Sequence, residues 1–170
     1  FFCRKNDASL FLVGSHSKKR PHNIVIGRTF DSHLLDMVEL GLDADSFQSL
    51  DDFQNTKVPV GTKPCLLFSG EAFESDTGMK RIKSLLIDMF RGESQVSHVR
   101  LAGLELSLQF TAVGGGLSGG PFKILFRSYR INTKKSDNVR LPRVELEEIG
   151  PRMDLTVRRT HFDSADLFRS

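Results

Sequence analysis

Leu104-Glu105-Leu106-Ser107-Leu108-Gln109-Phe110, followed after a glycine-rich break by Phe122-Lys123-Ile124-Leu125-Phe126-Arg127, decides the fold. Large apolar side chains recur at every second residue in both runs. That is the period of a strand with one buried face, because successive side chains point to opposite sides. Between the runs stands Gly114-Gly115-Gly116-Leu117-Ser118-Gly119-Gly120-Pro121, a composition that turns the chain back. Two alternating strands joined by such a break predict an antiparallel hairpin. The alternation extends back to Val99 and Leu101, and its phase shifts at Ala102-Gly103. One extra residue exchanges the two faces, so the shift predicts a bulge or bend.

Downstream, Val144 and Leu146 mark another strand, Ile149-Gly150-Pro151 a turn, and Met153, Leu155 and Val157 a return strand. Asp163 with Ala165, Leu167 and Phe168 reads as the first turn of a helix. Upstream of Gly92 the period is 3.6. Asp76 or Thr77 can cap a helix whose apolar face is Met79, Ile82, Leu85, Leu86, Met89 and Phe90, closed by Arg91-Gly92. Lys80, Arg81 and Lys83 fall largely on its exposed side. Ser9 to Gly14 and Cys65 to Gly70 read as short buried strands, and Asn23 to Phe30 as a β-branched one. Asp31 reads as the N-cap of a short helix carrying Leu34, Leu35, Met37, Val38 and Leu40 and stopped by Gly41. Residues 42–63 are an acidic loop with one helical turn around Leu50 to Phe53. The sum is an α+β fold: strands and helices alternate first, and a mainly antiparallel sheet follows.

The chain has 170 residues, 39% apolar and 26% charged, which fits one ordinary domain or two small fused ones. At this length roughly two-thirds of the unfolded surface can be buried, so the core needs no metal or disulfide. No run of about 18 apolar residues is present, which excludes a helical membrane span. Cys3 and Cys65 lie far apart and in no ligand or redox spacing. They allow one disulfide, but a reduced intracellular protein is the simpler reading. The chain opens Phe1-Phe2-Cys3 without Met or a signal pattern, and so reads as a piece of a longer protein.

Charge is informative by position. The net charge is only +3. From Arg4 to Arg28 six basic residues face Asp7 alone; from Asp31 to Asp76 ten acidic residues face Lys57 and Lys63; from Lys123 to Arg143 seven basic residues face Asp137 alone. Such segregation can present a polyanion-binding face despite a small total, although each run also reads as an ordinary solvated surface.

Catalytic readings fail on context. Gly114, Gly116 and Gly119 spell G-x-G-x-x-G, but a dinucleotide loop must open a helix, and here Pro121 and a strand follow. A kinase-type loop does lie between strands, yet its partner Asp motifs are missing. His16, His22, His33, His98 and His161 show no metal-ligand spacing, and no Ser sits in a G-x-S-x-G elbow. Glu145, Glu147 and Glu148 read as a strand's solvent face rather than a catalytic pair. Neither an enzyme nor a cofactor is indicated.

The basic residues point further. Lys18-Lys19-Arg20 sits in a loop between apolar strands, beside His16 and His22 and before Arg28. A loop can follow a phosphate chain while its long cations displace condensed counterions. Lys123, Arg127, Arg130, Lys134, Lys135, Arg140 and Arg143 form a second stretch, and Arg158-Arg159 ends the return strand beside His161, the two side chains expected on opposite faces. The candidate RNA-binding residues are Lys18, Lys19, Arg20, Arg28, Lys123, Arg127, Arg130, Arg158 and Arg159. Tyr129 is the single Tyr and the Phe residues interleave with core positions, so backbone and shape recognition of structured RNA fits better than base stacking. The alternative is a protein-interaction scaffold whose partner supplies the RNA contacts. A long run of strands leaves a sheet edge open to strand addition, and the acidic 31–76 segment could dock a basic partner.

Five stretches carry a family resemblance: Ser9-Leu-Phe-Leu-Val-Gly-Ser-His-Ser-Lys-Lys-Arg-Pro-His-Asn-Ile-Val-Ile-Gly-Arg28, Gly61-Thr-Lys-Pro-Cys-Leu-Leu-Phe68, Arg81 to Gly92, Arg100-Leu-Ala-Gly-Leu-Glu105, and Pro142 to Pro151 with Leu155-Thr-Val-Arg-Arg-Thr-His161. In this order they resemble the Brix-domain family. The resemblance implies two similar α/β halves, about 1–93 and 94–170, related to the anticodon-binding domain of class II aminoacyl-tRNA synthetases. It implies a nuclear, nucleolar assembly factor for the large ribosomal subunit, not an enzyme and without a cofactor. Its partners would be the regulator of ribosome synthesis, as a heterodimer, and 5S rRNA with its two ribosomal proteins, brought into the pre-60S particle; no membrane is involved. The Gly114–Pro121 turn looks longer than the family's usual one, and the family's flanking N-terminal and basic C-terminal segments lie outside these residues.

Overall fold

A computed structural model of the chain describes residues 2–31, 33–55, 57–92, 104–115, 120–134 and 142–163. Eight strands form one sheet in the order β1-β2-β3-β8-β6-β5-β4, with β7 also paired to β6. Strands β1 (Leu10–Ser15), β2 (Asn23–Phe30) and β3 (His33–Leu42) are an antiparallel meander. Strand β4 (Cys65–Ser69) runs parallel to β5 (Leu106–Val113), and β5 forms the expected hairpin with β6 (Lys123–Lys134). Strands β7 (Arg143–Glu148) and β8 (Met153–Phe162) follow. Strand β8 joins the two groups: Leu155 to Phe162 pair with β3, and Met153 to Thr156 pair with β6.

Helices α1 (Phe2–Lys5), α2 (Ala72–Ser75) and α3 (Thr77–Phe90) accompany a single turn of 3-10 helix at Leu50–Asp52. Helix α3 starts where its sequence signals place it, since Asp76 Oδ1 accepts the Met79 N–H at 2.8 Å and satisfies one orphan donor. Its buried residues Met79, Ile82, Leu85 and Leu86 pack against Ile26, Val38, Leu40, Phe110, Ile124, Phe126 and Leu155. The alternation of β5 and β6 is thereby explained. Leu108, Phe110 and Ala112 stand opposite Ser128, Phe126 and Ile124, all on the helix-covered face, and the Phe110 and Phe126 rings lie 5.1 Å apart. Each of the large apolar side chains among them, Leu108, Phe110, Ile124 and Phe126, contributes about 1.5–3 kcal/mol on full burial.

Several expectations are corrected. Residues 31–41 are not a helix. Asp31 takes a left-handed conformation (φ 44°) in the turn before β3, and Asp36, Val38 and Leu40 share the core face of that strand. Asp36 disguised the alternation, because a carboxylate is not expected inside unless it is paired. The early strands are therefore a meander without intervening helices. Strands β1 and β4 are sheet edges rather than buried strands; Leu12 and Val13 are 55% and 51% exposed. On β7 the apolar Val144 and Leu146 form the exposed side, while Glu145 and Glu147 are half-buried. Strand β8 does not return along β7, since both pair with β6 instead. Arg81 is half-buried in an ion-pair network rather than solvated on α3. Cys3 and Cys65 are free thiols. Val99, Leu101, the Ala102-Gly103 phase shift, Gly116, Gly119 and the helical turn at 165–168 lie outside the described residues.

Candidate nucleic-acid interface

The sheet face turned away from α3 gathers the cations. Register places Asn23, Gly41, Thr156 and Lys123 in one row across β2, β3, β8 and β6, a span of roughly 14 Å at the usual strand spacing. Each has a neighbour in sequence that faces the core, so this row faces the other way.

Strand β8 carries a bulge, with Glu39 opposite Arg159 and Leu40 opposite Val157, leaving Arg158 as the extra residue. The side chains record the slip: Leu155 and Val157 pack toward the core before it, and Phe162 after it. A bulge of this kind puts its two adjacent side chains on the same side. Arg158 and Arg159 therefore share the helix-free face, contrary to strict alternation.

The loop between β1 and β2 folds onto this face in a fixed conformation. Ser17 and Arg20 exchange backbone hydrogen bonds, each 3.1 Å, and the Arg20 N–H also donates to Ser17 Oγ at 3.1 Å. Lys18 and Lys19 occupy the two central positions of this tight turn and are exposed. Behind them, Arg20 Nη1 donates to Glu39 Oε2 at 2.7 Å, and Glu39 is only 7% exposed. Arg158 lies over Gly41, donating from Nη1 to Asn23 Oδ1 and from Nη2 to the Pro21 carbonyl, both at 3.0 Å. The Leu42 N–H donates to the His22 carbonyl at 2.8 Å, and the His16 and His22 rings meet edge-on at 4.7 Å.

The expected site residues thus separate. Lys18, Lys19, Arg20, Arg158, Arg159 and Lys123 come together. Arg127 shares their face but is occupied, pairing with Asp154 at 2.7 Å and donating to the Phe126 and Met153 carbonyls. Arg28 does not join them. It is 14% exposed and bonds Asp36 and Asp88, tying β2 to β3 and α3. Burial works against its charge, but the hydrogen bonds to Asp36 and Asp88 outweigh that and raise its pKa further. Arg130 stands opposite Leu106, whose side chain packs against the core, and so lies on the helix side of the sheet. Lys134 and Arg143 both pair with Glu145, at 2.6 and 3.4 Å. Lys135 and Arg140 lie outside the described residues.

Two acids near the row, Glu39 and Asp154, are paired with Arg20 and Arg127, whereas the exposed Asp43, whose N–H donates to the Asp154 carbonyl, has no ion pair among the described residues. Lys18, Lys19, Lys123 and Arg159 have no ion pair among the described residues, so their charge is available to a polyanion. Glu39, Asn23 and Gly41 were missed by sequence reasoning. No local signal marked Gly41, because the leucine-rich stretch around it reads as a helix that a Gly would stop.

Compared with known proteins, residues 1–159 match the family described as Brix domain. A human protein named ribosome production factor 2 homolog is 54% identical over 169 residues, covering 99% of this chain and 52% of that protein. The Saccharomyces cerevisiae protein named ribosome biogenesis protein RPF2 is 44% identical over 170 residues, covering 98% of this chain and 49% of its own length. An Arabidopsis thaliana ribosome production factor 2 homolog is 38% identical over 172 residues, covering 99% and 52%. The chain spans about half the length of the curated relatives it matches.

Proposed function

The chain belongs to the Brix-domain family, and from that premise we propose that it is part of a ribosome biogenesis factor that binds 5S rRNA and helps bring the 5S particle to the large-subunit precursor. In this reading it works in the nucleolus, as a heterodimer with a regulator of ribosome synthesis, and performs no catalysis. The two-half division near residue 93 belongs to the same proposal. The observation that carries it is the convergence of Lys18, Lys19, Arg159 and Lys123, from three separate parts of the chain, on the helix-free face. Arg20 and Arg158 add charge there while bonded to the sheet. Phosphate contacts of this kind recognise backbone and shape, which suits a folded RNA.

The test is 5S rRNA binding across a salt series for Lys18→Glu/Lys19→Glu/Arg20→Glu. Loss of two to three phosphate contacts should make the slope of log K against log salt shallower by about 2 to 3. Unchanged affinity and slope would remove the loop from the site.

A second reading, a protein-interaction scaffold, is favoured by one observation: β1 ends the sheet among the described residues, with Leu12 and Val13 exposed. It requires weak RNA binding by the chain alone and tight binding only with its partner.

A further inference from the structure

We propose that Glu39 and Arg158 are positioning residues for RNA binding, and that Arg20 is a strut rather than a phosphate contact. This rests on the helix-free face being the RNA surface.

A buried carboxylate is costly unless it is paired. Glu39 is nearly inaccessible, lies on the face away from the core, and stands directly across from Arg159. It nevertheless bonds Arg20, from a turn 19 residues earlier in the chain. The pairing has two effects: it cancels the one acid at the centre of the surface, and it leaves Arg159 to solvent.

Arg158 acts from the other side. The bulge turns it onto this face, and Gly41 leaves the space through which its guanidinium reaches the turn. A nitrogen at each tip of the fork is spent on the Pro21–Asn23 segment. Together with the Leu42–His22 hydrogen bond, the turn is held by β3 and β8 at three points. A flexible loop must lose conformational freedom when it binds, and a loop ordered beforehand has already done so. Lys18 and Lys19, at the tip of the closed turn, then meet phosphates from a fixed position.

The sign of one substitution separates positioning from simple electrostatics. Glu39→Val removes a negative charge from a cationic surface and keeps a residue suited to a strand. If Glu39 is only an acidic neighbour, 5S rRNA should bind more tightly. If it positions the turn, binding should weaken by about 3- to 10-fold, with the salt slope changed by less than one contact. The charge swap Arg20→Glu/Glu39→Arg should recover the affinity if Arg20 is a strut, and should not if Arg20 touches phosphate. Arg158→Gln should weaken binding without the slope change of about 1 that a lost contact gives.

Amide hydrogen exchange at Arg20 and His22 in the free protein gives a readout independent of RNA. It should accelerate in Glu39→Val and return to the wild-type rate in the swap. Tighter binding by Glu39→Val, or unaltered exchange, would overturn the proposal. A wild-type chain that fails to bind 5S rRNA in a salt-dependent way would instead overturn the reading of the surface, whatever the exchange rates show.

Discussion

Asp36 on β3 is completely buried, and Arg28, its direct neighbour across the sheet on β2, donates to Asp36 Oδ2 from Nε at 3.0 Å. Arg81 of α3 reaches the other carboxylate oxygen at 2.8 Å, and Asp88 of the same helix also holds Arg28. The group fastens α3 to the β1-β2-β3 meander. Removing Arg28 leaves the buried Asp36 carboxylate with Arg81 as its one remaining ion pair among the described residues and Asp88 without Arg28, so a buried charge is left under-compensated. Arg28→Met should therefore destabilise by about 3–5 kcal/mol in urea denaturation, and adding Asp36→Leu should restore much of the loss. The 5S rRNA salt slope of the folded variant should equal that of the wild type. A stable variant with a shallower slope would return Arg28 to the binding surface.

Two glycines should respond very differently to alanine. A β-carbon at Gly41 would overlap the movable end of Arg158, so Gly41→Ala should cost no more than about 1 kcal/mol. It should also speed amide exchange in the 17–22 turn by lifting Arg158. Gly70 has φ 102°, and a β-carbon there would strike the backbone carbonyl oxygen of Ala112. Gly70→Ala should cost on the order of 2–4 kcal/mol through backbone strain and overpacking. Paired denaturation curves decide; equal losses would contradict the packing described for both.

Acid stability should depend on Glu148. Hydrogen bonds from Arg152 hold its carboxyl below the usual value of 4.5. Because the folded-state pKa is depressed, the stabilisation is present above 4.5 and is lost as pH falls through the lower folded value. Arg152 is partly exposed, so the contribution is modest, below about 1 kcal/mol. Glu148→Gln should lower the melting temperature near neutral pH, with the gap from wild type closing as pH drops below 4.5. A gap that stays constant down to pH 2–3 would show that Glu148 is not held by this pair.

The hairpin of β5 and β6 and the helix α3 were legible in the sequence because the inward positions from Leu106 to Ala112 and from Ile124 to Ser128, and the buried stripe Met79, Ile82, Leu85 and Leu86, are apolar or small. Strand β3 was not, because Asp36 occupies an inward position and its partners are eight residues away in Arg28 and 45 away in Arg81. No local pattern records pairings at such distances. The candidate surface was half legible. Lys18 and Lys19 stand out as a cationic turn, but the charge run that contains them does not reveal that Arg20 and Arg28 are committed to carboxylates. The shared face of Arg158 and Arg159 depends on a bulge, and a bulge is a property of pairing with β3 rather than of the β8 sequence.

The sidedness of RNA binding is tested most directly by comparing two charge-neutralised proteins in one salt series with 5S rRNA. The first carries Lys18→Gln, Lys19→Gln, Lys123→Gln and Arg159→Gln on the helix-free face; the second carries Lys80→Gln, Arg130→Gln and Lys134→Gln on the other. The expected result is a slope shallower by about 3 to 4 for the first and by less than about 1 for the second. Equal slope changes in the two proteins, or a larger change in the second, would contradict the assignment of the helix-free face.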